Sequence, residues 1–144
     1  MTNWTKIVVD TNVLTYAFDE ASDEREVCLN FLETNAANIV LTHQVLNEYL
    51  RVITHRKIKK SISIARAIEN VEIFREKFPL TIYPNAITFN KSFDFIRKYN
   101  ITGNTVFDAY LVATAVTNGI TNIATYNTKH FRIFIPEGIT LVTI

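Results

Sequence analysis

Lys6-Ile7-Val8-Val9-Asp10 sets three consecutive β-branched apolar residues, with no polar alternation, directly before an acid. A run of that kind belongs to a strand covered on both faces, as at the centre of a parallel sheet. Ligands of parallel α/β sheets sit at the carboxyl ends of strands, which is where Asp10 falls. This one stretch therefore predicts an α/β domain and marks its first candidate functional residue.

Working outward, Ile39-Val40-Leu41, Leu80-Thr81-Ile82-Tyr83, Ile123-Ala124-Thr125 and Ile139 to Ile144 read as four further short strands. Helical spacing fills the intervals between them. Val27, Cys28, Phe31 and Leu32 recur between Asp23 and about Thr34, behind an acidic first turn that suits the helix dipole. Thr42 is placed to cap a helix with Val45, Tyr49 and Val52 on one face, and a further helix from about Ser61 repeats that spacing with Ile64, Ile68 and Val71. Pro84-Asn85 opens another, with Ala86, Phe89, Phe93 and Ile96 as an apolar stripe read as core, ending between Asn100 and Gly103. Thr105 is read as the cap of the next, where Leu111, Val112, Ala113, Ala115 and Val116 are apolar almost all round, the pattern of a buried helix. Short apolar strands alternating with helices predict a mostly parallel sheet of about five strands.

The composition fits one domain spanning 1–144. With 144 residues, 48% of them hydrophobic, only three Gly and three Pro but ten Phe, the chain has the make-up of a single packed core and not of a disordered or low-complexity protein. A formal charge of +1 gives no global attraction to nucleic acid or anionic membranes, so any such partner must be bound locally. The lone Cys28 cannot pair internally, no apolar run reaches the length of a membrane span, and no secretory leader pattern opens the chain. A cytoplasmic protein without a membrane partner is expected.

Among the acids, Asp10, Glu48 and Asp108 stand out because each sits against apolar sequence: at a strand end, between Val45 and Val52, and before Leu111, Val112 and Ala115. Each has a structural explanation of its own. Asp10 can cap the following turn, Glu48 can pair with Arg51 or Arg56, and Asp108 falls three residues after Thr105 as in a capping box. One shared explanation covers all three, namely that they converge on a hard divalent cation such as Mg²⁺ or Mn²⁺, whose preferred ligands are carboxylate oxygens and water. Spacing alone leads as far as metal-dependent phosphoryl chemistry.

Four segments in order, Val8-Val9-Asp10-Thr11-Asn12-Val13-Leu14, Val45-Leu46-Asn47-Glu48-Tyr49, Phe107-Asp108-Ala109-Tyr110-Leu111-Val112-Ala113-Thr114-Ala115 and Ile123-Ala124-Thr125-Tyr126-Asn127, together resemble the PIN-domain ribonucleases. The length is similar to that of the VapC-type toxins of toxin–antitoxin pairs. The resemblance implies a PIN-like three-layer α/β/α sandwich and a metal-dependent endoribonuclease that hydrolyses phosphodiester bonds in tRNA or another structured RNA. It assigns Asp10, Glu48 and Asp108 to catalysis and to Mg²⁺ or Mn²⁺, with Thr11, Asn12, Thr125 and Asn127 as their polar surroundings or substrate contacts. A homodimer and a VapB-like antitoxin are the partners it implies.

One position departs from the family pattern: many members have a fourth acid where this chain has Asn127, so a second cation is expected to bind more weakly. RNA must also be held by cations. The acid-free stretch from Arg51 to Arg66 is the candidate, with Arg51, Arg56 and Lys57 foremost, although a solvated helix connection explains it equally well. Two other functions remain open at this level. A PIN-like fold with little or no turnover could serve as an RNA-binding or assembly module, for which Asn127 speaks. A haloacid-dehalogenase-type phosphatase would use an Asp at the end of the first strand as nucleophile, but such sites need a second acid two residues on, where this chain has Asn12.

Overall fold

In the computed structural model, which describes residues 5–144, five parallel strands form one sheet in the order β3-β2-β1-β4-β5. The strands are β1 (Ile7–Val9), β2 (Ile39–Thr42), β3 (Leu80–Ile82), β4 (Asn122–Ala124) and β5 (Thr140–Val142). Val8, Val9, Val40 and Leu41 are almost completely buried, because helices cover both faces of the central strands. That double burial is why these strands read as unbroken apolar runs. The expected sheet is thus all-parallel, and the domain is α/β; residues 1–4 of the expected domain lie outside the described residues.

The helices are α1 (Thr11–Phe18), α2 (Arg25–Thr34), α3 (His43–Ile53), α4 (Ile64–Lys77), α5 (Ala86–Tyr99), α6 (Thr105–Thr117) and the short α7 (Thr128–Phe131). From β1 the chain steps through β2 to β3 in one direction, then returns to add β4 and β5 on the other side of β1. Right-handed crossovers therefore put α1 to α4 on one face and α5 to α7 on the other, giving three layers. The direction of winding reverses between β1 and β4, and the crevice at such a reversal, outside the strands' carboxyl ends, is where open α/β sheets bind ligands. Asp10 follows β1 and Thr125 follows β4, so both project from the edge of that crevice.

Local sequence sets the helix starts. Thr42 accepts a hydrogen bond from the Val45 amide at 3.2 Å, Ser63 caps α4 through the Arg66 amide, and Asn85 caps α5 through the Thr88 amide. Because Thr42 fixes the first turn of the helix that carries Glu48, Thr42→Ala should lower stability by about 1 kcal/mol, the usual cost of losing a side-chain cap. A urea midpoint identical to that of the wild type would show that the cap contributes nothing. At α5 the chain leaves the helix through Asn100, which adopts the left-handed conformation at φ 50°.

Three expectations need correction. Thr105 is not a cap but the first residue of α6; Asn104 holds the cap position without a side-chain bond, because the chain is already turning at Gly103, whose carbonyl accepts the Val106 amide. On α4 the buried residues are Ala67 and Phe74, with Val71 half-buried, whereas Ile64 and Ile68 face solvent. Phe74 fills the space between Phe18 and Tyr49, at ring-centroid distances of 4.7 and 5.2 Å, and this large anchor fixes the rotation of the helix. On α5, Phe89 and Phe93 are 51% and 39% exposed, and the buried face is Thr88, Ser92 and Phe95. Those small polar residues let α5 lie close to α6, and both hydroxyls are satisfied. Thr88 Oγ1 shares a hydrogen bond with Thr117 Oγ1 at 2.8 Å, and Ser92 Oγ donates to the Phe89 carbonyl at 2.6 Å.

The buried helix is as expected: Ala109, Leu111, Val112, Ala113, Thr114 and Ala115 of α6 are all inside. No helix among the described residues is long and apolar enough to cross a membrane.

Candidate functional site

Asp10 is the innermost acid of the crevice, with 9% of its surface exposed. It caps α1 by accepting the Thr11 amide on Oδ1 at 2.8 Å, and its Oδ2 accepts the Thr125 hydroxyl at 2.7 Å across the β1–β4 junction. The capping role foreseen for Asp10 and its place in the crevice are thus one arrangement. Thr125 Oγ1 in turn accepts the Asn127 amide at 2.9 Å, and Asn12 Oδ1 accepts the Tyr126 amide at 3.3 Å. The loop after β4 is tied to the start of α1 by these bonds.

Glu48, on α3, is not paired with Arg51 or Arg56. Its Oε2 accepts the Thr11 hydroxyl at 2.6 Å and its Oε1 accepts Gln44 Nε2 at 3.1 Å, which turns the carboxylate toward Asp10. Asp108, in the first turn of α6, stands 3.7 Å from His130 Nδ1. Asp10, Glu48, Asp108, Asn127 and His130 line one cleft of about 640 Å³, with Arg51 at its wall. Thr11 and Asn12 join Asp10, Glu48 and Asp108 around its inner end. Arg56 and Lys57 are exposed in the turn after α3 and do not line the cleft.

The electrostatics of this cleft follow from crowding carboxylates at low exposure. The Asp108 carboxyl is raised to about 6, chiefly by burial and next by the Asp10 charge, with His130 opposing the rise and Glu48 adding to it. Asp10 is also raised, chiefly by burial, against the opposing hydrogen bonds from Thr125 and Thr11. No group of three His, Cys, Asp or Glu side chains among the described residues is drawn together tightly enough to be a ready-made metal cage. The donors are nonetheless all hard oxygens around a space wide enough for water. That suits Mg²⁺ or Mn²⁺, which keep several waters and take one or two carboxylates directly. Asp10 and Asp108 would hold such an ion, with Glu48 acting through water.

Sequence reasoning missed Gln44, Asn104 and Phe107, which also line the cleft. Gln44 stands four residues before Glu48, so the i,i+4 neighbour rule for helices could have found it. Phe89 and Phe93, expected in the core, instead line with Tyr110 an adjoining apolar groove of about 300 Å³ that shares Gln44 and Phe107 with the acidic cleft.

The PIN domain family model matches residues 7–134, which include every acid of the cleft. The chain belongs to the PIN domain family. Solved structures carry the same fold at low sequence identity. The PIN domain is similar to VapC20 of Mycobacterium tuberculosis, described as a sarcin–ricin loop cleaving toxin, with a TM-score of 0.73 at 15% identity over 96% of this chain and 100% of that one. It is similar to a chain of a toxin–antitoxin complex from Klebsiella pneumoniae, with a TM-score of 0.68 at 20% identity over 96% and 97% of the two chains. A chain of DNA-bound VapBC from Salmonella typhimurium gives 0.67 at 18% identity over 99% and 98%. No curated protein matches the chain by sequence.

Proposed function

We propose that this PIN domain is a metal-dependent endoribonuclease of the VapC toxin type. The observation that carries the reading is the meeting of Asp10, Glu48 and Asp108, from three separate elements, in one cleft where burial first, and then the neighbouring Asp10 charge, hold Asp108 well above the usual carboxylate range. A site that crowds unpaired acids gains most from a cation of double charge. A bound Mg²⁺ or Mn²⁺ supplies Lewis-acid charge for the phosphoryl oxygens and acidifies the attacking water.

The chain's own groups divide the remaining work. Asp10 and Asp108 hold the ion, Glu48 orients water, and the hydroxyls of Thr11 and Thr125 keep Glu48 and Asp10 facing the cleft. Arg51 at the wall is a cation in reach of an RNA phosphate, His130 in the same cleft offers a ring nitrogen, and Arg56 and Lys57, outside the cleft, belong to a more distant contact. Hydrolysis forms a bond from the water oxygen to phosphorus and breaks the bond from phosphorus to the 3′ oxygen, which takes up a proton. The products are a 5′-phosphate and a 3′-hydroxyl. Asn127 in the cleft withholds one negative charge, which favours one tightly held ion over two.

The substrate in this reading is a structured RNA such as tRNA or a ribosomal stem-loop, in line with the cleavage ascribed to VapC20. The partner is a VapB-like antitoxin, as in the toxin–antitoxin complexes of similar fold. A homodimer and a cytoplasmic location belong to the same proposal. The exposed Phe89, Phe93 and Phe107 line a groove with no Asp, Glu, Lys or Arg among its lining residues, which supports an association surface beside the cleft.

The test is cleavage of purified tRNA and ribosomal RNA by the purified protein with Mg²⁺, with Mn²⁺ and with a chelator. Cleavage that stops on chelation, returns with Mn²⁺ and leaves 5′-phosphate ends is the expected result. Chelator-resistant cleavage, or 2′,3′-cyclic phosphate ends, would refute the mechanism.

A further inference from the structure

Gln44 lies where α3 faces the first turn of α6. Its amide nitrogen donates twice, to Glu48 Oε1 at 3.1 Å within its own helix and to the Phe107 carbonyl at 3.0 Å on the other. Phe107 is the residue before Asp108, so one amide group touches the Glu48 carboxylate and the backbone that carries Asp108. The orientation is forced, because the reversed amide would aim its oxygen at a carboxylate and a carbonyl, both of which only accept. In the orientation adopted, Gln44 Oε1 is buried with no hydrogen-bond partner among the described residues. A buried polar atom left unmatched costs about 1–3 kcal/mol, so for stability alone an apolar side chain of the same size would serve better.

We infer that Gln44 is a positioning residue: it clamps the Glu48 carboxylate to the first turn of α6 and so sets the separation of Glu48 and Asp108 at which the cleft takes up its divalent cation. The inference rests on the metal-site reading above. Groups that orient metal-bound carboxylates affect ion affinity without touching the ion, and their loss weakens binding by about 10- to 100-fold. Thr11, which holds the other oxygen of Glu48, is unaffected by a change at Gln44, so the lower end of that range applies.

The experiment is a calorimetric titration of the full-length protein with Mn²⁺. Gln44→Met keeps the volume and removes both bonds; Gln44→Asn keeps the amide but is too short to reach both acceptors. Each should weaken Mn²⁺ binding by about tenfold while leaving the thermal melt of the chelated protein no lower than that of the wild type. In a Glu48→Ala background, Gln44→Met should change the affinity less than twofold, because the carboxylate through which it acts is gone. Wild-type Mn²⁺ affinity in both Gln44 variants, with Glu48→Ala weakened, overturns the role of Gln44 and leaves the metal site standing. A tenfold effect that persists in the Glu48→Ala background overturns it as well. Absence of Mn²⁺ binding by the wild type removes the metal-site reading itself, and the inference with it.

Discussion

Asp10→Asn should reduce RNA cleavage by about three orders of magnitude, equivalent to about 4 kcal/mol of transition-state stabilisation. The loss follows from charge, not from shape. Both oxygens of Asp10 are held by donors, the Thr11 amide and the Thr125 hydroxyl, in a nearly closed position where a cation would offset the burial that pushes its carboxyl up. An amide at this place still accepts from the Thr11 amide through its oxygen. Its NH₂ donates to Thr125 Oγ1, a hydroxyl with lone-pair capacity beyond the Asn127 amide it already accepts. The fold should therefore persist, with a melting temperature equal to or above that of the wild type, while a neutral ligand fails to hold the cation. Cleavage at the wild-type rate would eliminate Asp10 as a metal ligand.

Asp108→Asn separates the metal-site reading from a capping role more sharply, because the two predict opposite signs. As an acid in the first turn of α6, Asp108 would favour the helix dipole, and its loss would cost about 0.3–1 kcal/mol. As a crowded acid, its native-state carboxyl is raised to about 6 from an ordinary value of 3.8, so the folded protein binds the proton more tightly than the unfolded chain does. Stability of the metal-free protein then falls as pH rises from about 4 to about 6 and stays low above that. The penalty at neutral pH is about 2 kcal/mol once the partial solvation of the side chain is allowed for, which outweighs the dipole contribution.

At pH 7.5 with chelator, Asp108→Asn should consequently melt about 2–4 °C above the wild type. The difference should shrink as pH falls and vanish only well below the unfolded-state value of 3.8, where the wild-type carboxyl is protonated in both states. Saturating Mn²⁺ should raise the wild-type melting temperature and not that of the variant, and cleavage by the variant should fall at least about a hundredfold. A lower melting temperature for chelated Asp108→Asn at pH 7.5 would return Asp108 to a capping role.

The parts of this molecule legible from its residues are those where one side chain's surroundings lie within a few residues of it. Ile7-Val8-Val9 announces a strand buried on both faces, and the apolar circumference of α6 announces a helix buried all round. Thr42 and Asn85 are caps because a cap bonds its own chain three residues on. Rotation of a helix against the sheet is a different kind of fact. The stripe of Phe89, Phe93 and Ile96 is a true periodicity, yet α5 turns Thr88 and Ser92 inward: both are small, the Thr88 hydroxyl is satisfied by Thr117 on α6 and the Ser92 hydroxyl by the Phe89 carbonyl of its own helix. On α4 the single large Phe74 outweighs Ile64 and Ile68.

The same distinction governs the site. Asp10 could be singled out from its strand, whereas its meeting with Glu48 and Asp108 depends on the strand order, in which β4 returns to pair with β1. No spacing encodes that return; only the resemblance to PIN domains supplied it. Gln44 was illegible for a further reason. A glutamine on a polar helix face is ordinary, and it acquires meaning only from the Phe107 carbonyl opposite.

The most direct test of the shared metal site is a crystal structure of the wild-type protein grown with Mn²⁺, with the ion located by its anomalous scattering. A single strong peak in the cleft, about 2.1 Å from an oxygen of Asp10 and of Asp108 and one water away from Glu48, is the predicted result. No peak in the cleft at saturating Mn²⁺, or an ion bound elsewhere with the three acids turned apart, would contradict it.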